Sequence, residues 1–263
     1  MARQFDVPQF YRSEIISTVK KSRRIEDPKK RDLSPSILDF GPVRFKIGRH
    51  FGFCYGVENA IEIAYRALTK HPNQRIFLLS EIIHNSHVNE DLKKRGVQFI
   101  CETSGQQLIP FEDLHPEDVV IVPAFGTTVE IEEALSQRGI HPYRYNTTCP
   151  FVEKVWKKSQ EIGQREYSVI IHGKRNHEET RATFSHSKKS APVVVVRDLD
   201  ETEKLAKVIR GEETTDFFYQ HFGDRCSIGF NPKVHLERIG VVNQTTMLAS
   251  ETQAIASLLR QVI

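Results

Sequence analysis

Two cysteines stand in the same kind of local sequence. Cys54 lies in a glycine-flanked turn, and the apolar residues after it recur at helical spacing. Cys149 follows residues 141–145, which have a strand-like pattern, and precedes Pro150, a residue favoured in the first turn of a helix. A helix N-terminus favours the thiolate, which binds metals and acts as a nucleophile. A single such cysteine is equally compatible with a small buried hydrophobe, but its recurrence favours a shared role.

Histidines and carboxylates form a second candidate set. His84 and His177 each lie in a polar turn that follows an apolar, strand-like run. A protonated imidazole offers two N–H groups and a positive charge, so both histidines are candidates for binding an anion such as a diphosphate. Glu178 and Glu179 come directly after His177, and a carboxyl group beside such histidines is a candidate proton donor.

The spacing of the cysteines bears on the kind of metal that they would hold. Two cysteines and two histidines are a possible zinc set, but the closely spaced pairs that mark many zinc sites are missing. Cysteines far apart in separate units suit an iron–sulfur cluster held between domains. Cys101 and Cys226 do not stand in the same local pattern and are not candidates for ligands.

Composition bounds the class of protein. The 263 residues carry a net charge of +3, and no apolar run approaches the length of a membrane span. No secretory signal is apparent, and the four dispersed cysteines do not suggest disulfides, so we expect a cytoplasmic protein. Residues 1–42 mix basic and acidic side chains, which favours a charged, solvated and partly disordered extension over a nucleic-acid-binding arm.

The rest of the chain alternates strand-like and helix-like segments. This alternation predicts an α/β fold of repeated domains with parallel sheets, in which ligands bind at the carboxyl ends of the strands. We expect a first α/β domain over residues 43–145, with Cys54, and a second over 146–263, with Cys149. Gly96 and Gly139 are the expected ends of two helices. The predicted strands cover residues 43–48, 75–79, 97–100, 119–122, 168–171 and 193–196.

An internal repeat supports this division. Residues 123–130 correspond to residues 241–248, since each segment follows a strand-like run and opens a helix. The offset is 245 − 127 = 118 residues, and adding it to 149 gives 267, just beyond Ile263. We therefore expect that a third unit of strand, cysteine and helix is missing from this chain, which is either a fragment or half of a split protein whose third domain is encoded separately.

These motifs, in this order, resemble the hydroxymethylbutenyl diphosphate reductases of the LytB/IspH family. The resemblance extends from about residue 43 to the end. Residues 243–246 and the triplet 124–126 are similar to the branch that includes plant enzymes. The resemblance implies a trefoil of three α/β domains around a 4Fe–4S cluster. The motifs that carry it are FCYGV (53–57), EIIHN (81–85), TCPFVEKV (148–155), HEET (177–180) and NQTT (243–246).

The resemblance also implies an activity and a site. Family members reductively remove the hydroxyl of 4-hydroxy-3-methylbut-2-enyl diphosphate, giving isopentenyl and dimethylallyl diphosphates in the non-mevalonate isoprenoid pathway. Their electrons come from a donor such as ferredoxin or flavodoxin. By this resemblance Cys54 and Cys149 are cluster ligands, and Glu179 delivers the proton while Glu178 is its solvated neighbour. The substrate would be bound by His84, His177 and Thr245.

Three features depart from the family pattern. Phe125 stands where many members have histidine, and neither the third cluster cysteine nor the serine- and asparagine-rich diphosphate loop has a counterpart. Both of the latter belong to the third domain. The competing hypothesis is a truncated, non-catalytic module that binds a polyanion through the two histidines together with Lys174 and Arg175, or half of a split enzyme.

Overall fold

The N-terminal part of the molecule contains a helix and a hairpin. The structure, a computed structural model, describes residues 5–49 and 51–263. Helix α1 (Glu14–Glu26) begins at Ser13, whose side chain accepts a hydrogen bond from the Ile16 N–H. Strands β1 (Ser36–Asp39) and β2 (Arg44–Ile47) form an antiparallel pair. The expected extension thus contains a helix and a strand, and its residues 1–4 lie outside the described residues.

The first parallel sheet follows this hairpin. Its middle strand is β3, and β4 and β5 flank it, both parallel to it. The strand predicted over residues 43–48 exists as β2 but pairs with β1 outside this sheet. The elements of this part are α2 (Tyr55–Lys70), β3 (Ile76–Leu78), α3 (Ser86–Lys94), β4 (Gln98–Phe99), β5 (Val119–Ile121) and α4 (Val129–Gln137).

The second parallel sheet has the same order. Its middle strand is again the first along the chain, β6, flanked by β7 and β8. Three further helices, α7 to α9, lie between β7 and β8. The elements are α5 (Pro150–Gln164), β6 (Ser168–His172), α6 (Glu178–Ser187), β7 (Val193–Val196), α7 (Leu199–Ile209), α8 (Thr215–Phe222), α9 (Pro232–His235), β8 (Ile239–Asn243) and α10 (Ala249–Val262).

The internal repeat corresponds to this duplicated order. The two matched segments join the third strand of each sheet to the helix after it, β5 to α4 and β8 to α10. Every residue of β3, β5, β6 and β7 is buried, because helices cover both faces of a parallel sheet, and this explains their uninterrupted apolar runs.

The strand predicted before Cys149 is wrong. Residues 141–145 contain a turn, in which the Arg144 N–H donates to the carbonyl of His141. The segment meets the sheet only at an isolated parallel bridge between Val122 and Asn146. The chain thus leaves the first sheet at this bridge and enters α5 through Cys149.

Candidate active site

The first turn of α6 carries three adjacent side chains of interest. His177 caps this helix, and its Nδ1 accepts the backbone N–H of Glu179 at 3.2 Å. The loop that leads to it from β6 passes Gly173, where a Cβ atom would lie 2.6 Å from the hydroxyl oxygen of Thr180. A glycine is therefore required for the loop to approach the helix this closely.

His84 belongs to the equivalent turn after β3. Here the next residue, Asn85, caps α3, so the imidazole of His84 takes no part in the cap. Its Nε2 lies 3.2 Å from Nε2 of His177, and its ring stacks on Phe125 with a centroid distance of 4.2 Å. The side chain of His84 remains 45 % exposed, so the histidine pair is open to a ligand.

Glu179 is buried and hydrogen-bonded to Thr245. Only 1 % of the residue is exposed. Its carboxylate accepts the backbone N–H of Thr245 and, at 2.9 Å, the Thr245 hydroxyl. Burial raises the pKa of Glu179, while the two hydrogen bonds from Thr245 oppose the rise. Such a carboxyl group can hold a proton in a fixed position.

Glu178 is not solvated, contrary to the sequence-based expectation. It is 6 % exposed, and its Oε2 has no hydrogen-bond partner among the described residues. Burial raises its pKa to about 6. Together with Ser80, Cys101 and Arg181, it lines a cavity of about 90 Å³ beside the first sheet. The two adjacent glutamates thus face different parts of the molecule, and both are buried.

Gln244 is a connecting residue that the sequence analysis did not single out. It is 2 % exposed, and its Oε1 accepts the Lys174 N–H and the Thr180 hydroxyl, both at 3.0 Å. It therefore links the end of β8 to the loop and helix that carry His177 and Glu179. The signal was its place beside Thr245 in the NQTT motif.

The two cysteine turns lie against each other. Cys54 caps α2 and is exposed, and Cys149 caps α5 and is partly buried. A Cβ atom on Gly56 would lie 2.7 Å from Sγ of Cys149, so the second thiol packs on the turn that begins at Cys54. Within residues 5–49 and 51–263, no group of three or more His, Cys, Asp or Glu side chains is arranged to hold a metal ion.

The other two cysteines lie elsewhere. Cys101 forms a bridge with Gln107 at the end of β4, and Cys226 forms one with Val194 of β7. Burial raises the pKa of both thiols. Neither residue caps a helix, in contrast to Cys54 and Cys149.

Comparison with protein families decides the relationship. The family model described as LytB protein matches residues 46–263. The chain belongs to the LytB family. It is 43 % identical over 222 residues to the 4-hydroxy-3-methylbut-2-enyl diphosphate reductase of Prochlorococcus marinus (strain MIT 9313), covering 84 % of this chain and 54 % of that protein. The reductase of the same name from Synechococcus sp. (strain WH7803) is 42 % identical over 221 residues, with the same coverages.

Solved structures support the fold. The reductase from Plasmodium falciparum superposes with a TM-score of 0.59 at 23 % identity, covering 80 % of this chain and 54 % of its own. A second reductase, described as the terminal enzyme of the non-mevalonate pathway, gives a TM-score of 0.51 at 22 % identity and covers 80 % of each chain. These similarities confirm the predicted α/β fold class with parallel sheets. The chain spans about half the length of the reductases from Prochlorococcus marinus (strain MIT 9313) and Synechococcus sp. (strain WH7803), 54 % of each.

Proposed function

We propose that this LytB-family chain supplies the diphosphate-binding and proton-donating part of a 4-hydroxy-3-methylbut-2-enyl diphosphate reductase. The observation that carries the proposal is the convergence of four sequence-predicted residues at one place. His84 contacts His177, which caps the helix of Glu179, and Glu179 in turn binds Thr245. These residues come from separate segments of the chain, so their meeting is a consequence of the fold.

Each residue has a distinct task in this reaction. The imidazoles of His84 and His177 donate hydrogen bonds to the diphosphate. Glu179 donates a proton to the leaving hydroxyl, which departs as water. Thr245 holds the carboxyl group of Glu179 through two hydrogen bonds and thereby fixes the direction of proton transfer.

Cys54 and Cys149 are the residues that would hold an iron–sulfur cluster of the 4Fe–4S type. Thiolates are the ligands that such clusters take, and the contact of Sγ of Cys149 with Gly56 brings the two cysteine turns together. When bound, the cluster supplies the electrons of the reduction. Two thiols do not complete the ligand set of such a cluster. We propose that the further ligand comes from the part of the family's proteins that this chain does not cover.

The remaining assignments follow from the reaction. A ferredoxin- or flavodoxin-like protein would donate electrons, the ligand is a small allylic diphosphate, and the proposed compartment is the cytoplasm. Across the described ranges, no helix has both the length and the apolar character needed to cross a membrane.

The charges around the histidines favour this function over polyanion binding. Arg175 is paired with Asp224, and Arg181 donates to the carbonyls of Thr103 and Ser104. Arg175, one of the two cations of the competing hypothesis, is therefore engaged within the protein.

Calorimetric titration of the chain with 4-hydroxy-3-methylbut-2-enyl diphosphate tests the proposal. Because charge-assisted hydrogen bonds contribute about 1.5–3 kcal/mol, His84→Ala should weaken binding roughly tenfold or more. His115→Ala, at an exposed histidine outside this group, is the matched control and should bind normally. Equal affinity in both variants, or tighter binding of a long polyphosphate than of the substrate, would overturn the proposal.

A further inference from the structure

The hydrogen bonds of the histidine pair determine where its protons lie. A backbone N–H can only donate, so Nδ1 of His177, which accepts the Glu179 N–H, carries no proton. Neutral His177 therefore has its proton on Nε2, which faces Nε2 of His84 at 3.2 Å. That nitrogen of His84 must accept, and the proton of neutral His84 lies on Nδ1.

Glu81 lies where this Nδ1 proton points. Its Oε2 is 3.4 Å from Nδ1 of His84, and both side chains are partly exposed, 40 % and 45 % respectively. Glu81 was not among the candidate site residues predicted from the sequence. Its place three residues before His84, in the turn after β3, lets the carboxylate reach the far side of the imidazole from the ligand-facing Nε2.

The surroundings of the pair disfavour a positive charge on His177. Burial, followed by the charges of His84, Lys174 and Arg181, lowers the pKa of His177 to about 4. His84 is more exposed and faces the carboxyl groups of Glu81 and, electrostatically, Glu178. Its ring also stacks on Phe125, whose π-face attracts a cation.

An anion that accepts hydrogen bonds from both Nε2 atoms requires a proton on each of them. His177 already provides its Nε2–H. While the carboxylate of Glu81 retains the proton on Nδ1, His84 provides one by gaining a second proton on Nε2. In that state His84 is an imidazolium, and Glu81 is the counter-ion on its other side.

We propose that Glu81 is a positioning residue of the diphosphate site, which holds the Nδ1 proton of His84 and balances the imidazolium formed when the anion binds. The inference rests on the proposed function, since it takes the substrate's diphosphate as the anion. The two histidines then have different roles. His177 is a neutral donor with a fixed tautomer, and His84 is a donor that gains a proton when the anion binds.

Nuclear magnetic resonance of the imidazole nitrogens tests the free protein. In the wild type, His84 should carry its proton on Nδ1 and His177 on Nε2. In Glu81→Gln, His84 should take its second proton at a proton concentration about two- to fivefold higher, the size expected of a partly exposed ion pair. Glu90→Gln, on the exposed face of α3, is the matched control and should leave this titration unchanged. The opposite tautomers, or equal titrations in the wild type and Glu81→Gln, would overturn the inference.

Calorimetry with inorganic pyrophosphate tests the bound state. Above the pH at which His84 charges, wild-type binding should take up one proton, visible as a dependence of the heat on the buffer. Glu81→Gln should there bind about two- to fivefold more weakly than Glu90→Gln. At lower pH, where His84 is already charged, Glu81→Gln should bind equally or more tightly, because Glu81 repels the anion.

The outcomes separate this inference from the function on which it rests. A pH profile of pyrophosphate binding that is unaffected by Glu81→Gln, while His84→Ala still weakens binding, would overturn the role of Glu81 alone. Absence of pyrophosphate binding by the wild type would overturn the proposed function, and with it the bound-state role of Glu81. A uniform loss at every pH in Glu81→Gln would show a merely structural effect and would also overturn the inference.

Discussion

The two α/β units have the same order of strands in their sheets but differ at the turn that follows the middle strand. In each, a cysteine caps the first helix, and a histidine turn follows the middle strand. In the first unit Asn85 caps the helix after that turn, so His84 stays exposed beside Glu81. In the second, His177 is itself the cap, and two buried glutamates follow it.

The difference gives the two histidine turns different electrostatic surroundings. Burial disfavours a charged carboxylate, so the turn of the second unit raises the pKa of Glu178 and Glu179 and suits a proton donor. The exposed turn of the first unit leaves its carboxylate, Glu81, to act as a counter-ion. In the proposed site, the second unit would thus supply the acid and the first unit a histidine that gains charge when the anion binds.

The largest effect that this contrast predicts is that of removing the acid. Glu179→Gln keeps the size and hydrogen-bonding capacity of the side chain but loses the transferable proton. General-acid catalysis contributes roughly a hundred- to ten-thousandfold, so turnover should fall at least about a hundredfold with little change in substrate affinity. The measurement is a rate assay on the cluster-loaded complex of this chain with the part of a family member that the chain does not cover.

Glu178→Gln is the matched comparison, at the neighbouring buried glutamate. It should stay within a few-fold of the parent rate, because Glu178 faces the cavity beside the first sheet rather than Thr245. If Glu178→Gln is instead the inactive variant, the acid has been assigned to the wrong residue.

The contact between the two units offers a second test. Gly56→Ala would place a Cβ atom 2.7 Å from Sγ of Cys149 and force the cysteine turns apart. Overpacking of this kind costs about 1–3 kcal/mol, so we expect a lower unfolding midpoint in urea and less iron bound after anaerobic reconstitution. Gly48→Ala, whose Cβ would meet nothing within 4 Å, is the control. Equal iron loading of the two variants would contradict the arrangement.

Much of the order of strands and helices could be predicted from the local sequence. The helix stops at Gly96 and Gly139 follow from their positive φ angles of 88° and 75°, which glycine adopts readily. The prolonged apolar runs of β6 and β7 correctly indicated strands buried on both faces. The cysteine turns were recognised because a cap and a helical period are both local signals.

Other features depend on contacts distant in the chain. The burial of Glu178 results from its contact with the segments that follow β3, β4 and β5, and no pattern near residue 178 reports it. The strand expected over 141–145 fails because only Asn146 meets Val122. The position of Glu81 beside His84 was local, but its significance required the hydrogen bond from Glu179 to His177.

The buried glutamate also predicts how stability depends on pH. Glu178 titrates at about 6 in the folded chain against 4.5 ordinarily, so the unfolded chain releases this proton first as pH rises. Its contribution is present below pH 4.5 and is lost by about pH 6, a fall of about 2 kcal/mol. His177, whose pKa is lowered to about 4, has the opposite slope below pH 6.5.

The difference between the wild type and Glu178→Gln isolates the carboxyl group. Urea unfolding measured from pH 4 to 7 should show the variant gaining on the wild type by about 2 kcal/mol between pH 4.5 and 6. Glu81→Gln, at a partly exposed carboxylate, should show a much smaller change over this range. Parallel curves for the wild type and Glu178→Gln would contradict the burial of the ionisable group.

The smallest effect concerns the N-terminal segment, which contacts the first unit on both sides of its cysteine turn. Phe5 packs edge-on against Tyr55 at 4.8 Å between ring centroids, and Tyr11 packs against Phe53 at 6.3 Å. The Tyr11 hydroxyl is 3.0 Å from that of Tyr65 and donates to Asp91 at 3.1 Å. The N-terminal segment thus packs against the residues on both sides of Cys54.

Tyr11→Phe removes these hydrogen bonds but keeps the ring. A typical hydrogen bond contributes about 1 kcal/mol, so the free energy of unfolding should fall by about that amount, and Cys54 should be alkylated somewhat faster. Tyr167→Phe is the control, because among residues 5–49 and 51–263 the Tyr167 ring contacts Arg238 while its hydroxyl makes no hydrogen bond. Two outcomes would contradict this: an equal loss of unfolding free energy in both variants, or faster alkylation of Cys149 instead of Cys54. In either case the N-terminal segment does not stabilise the cysteine turn of the first unit, and the two units differ only at their histidine turns.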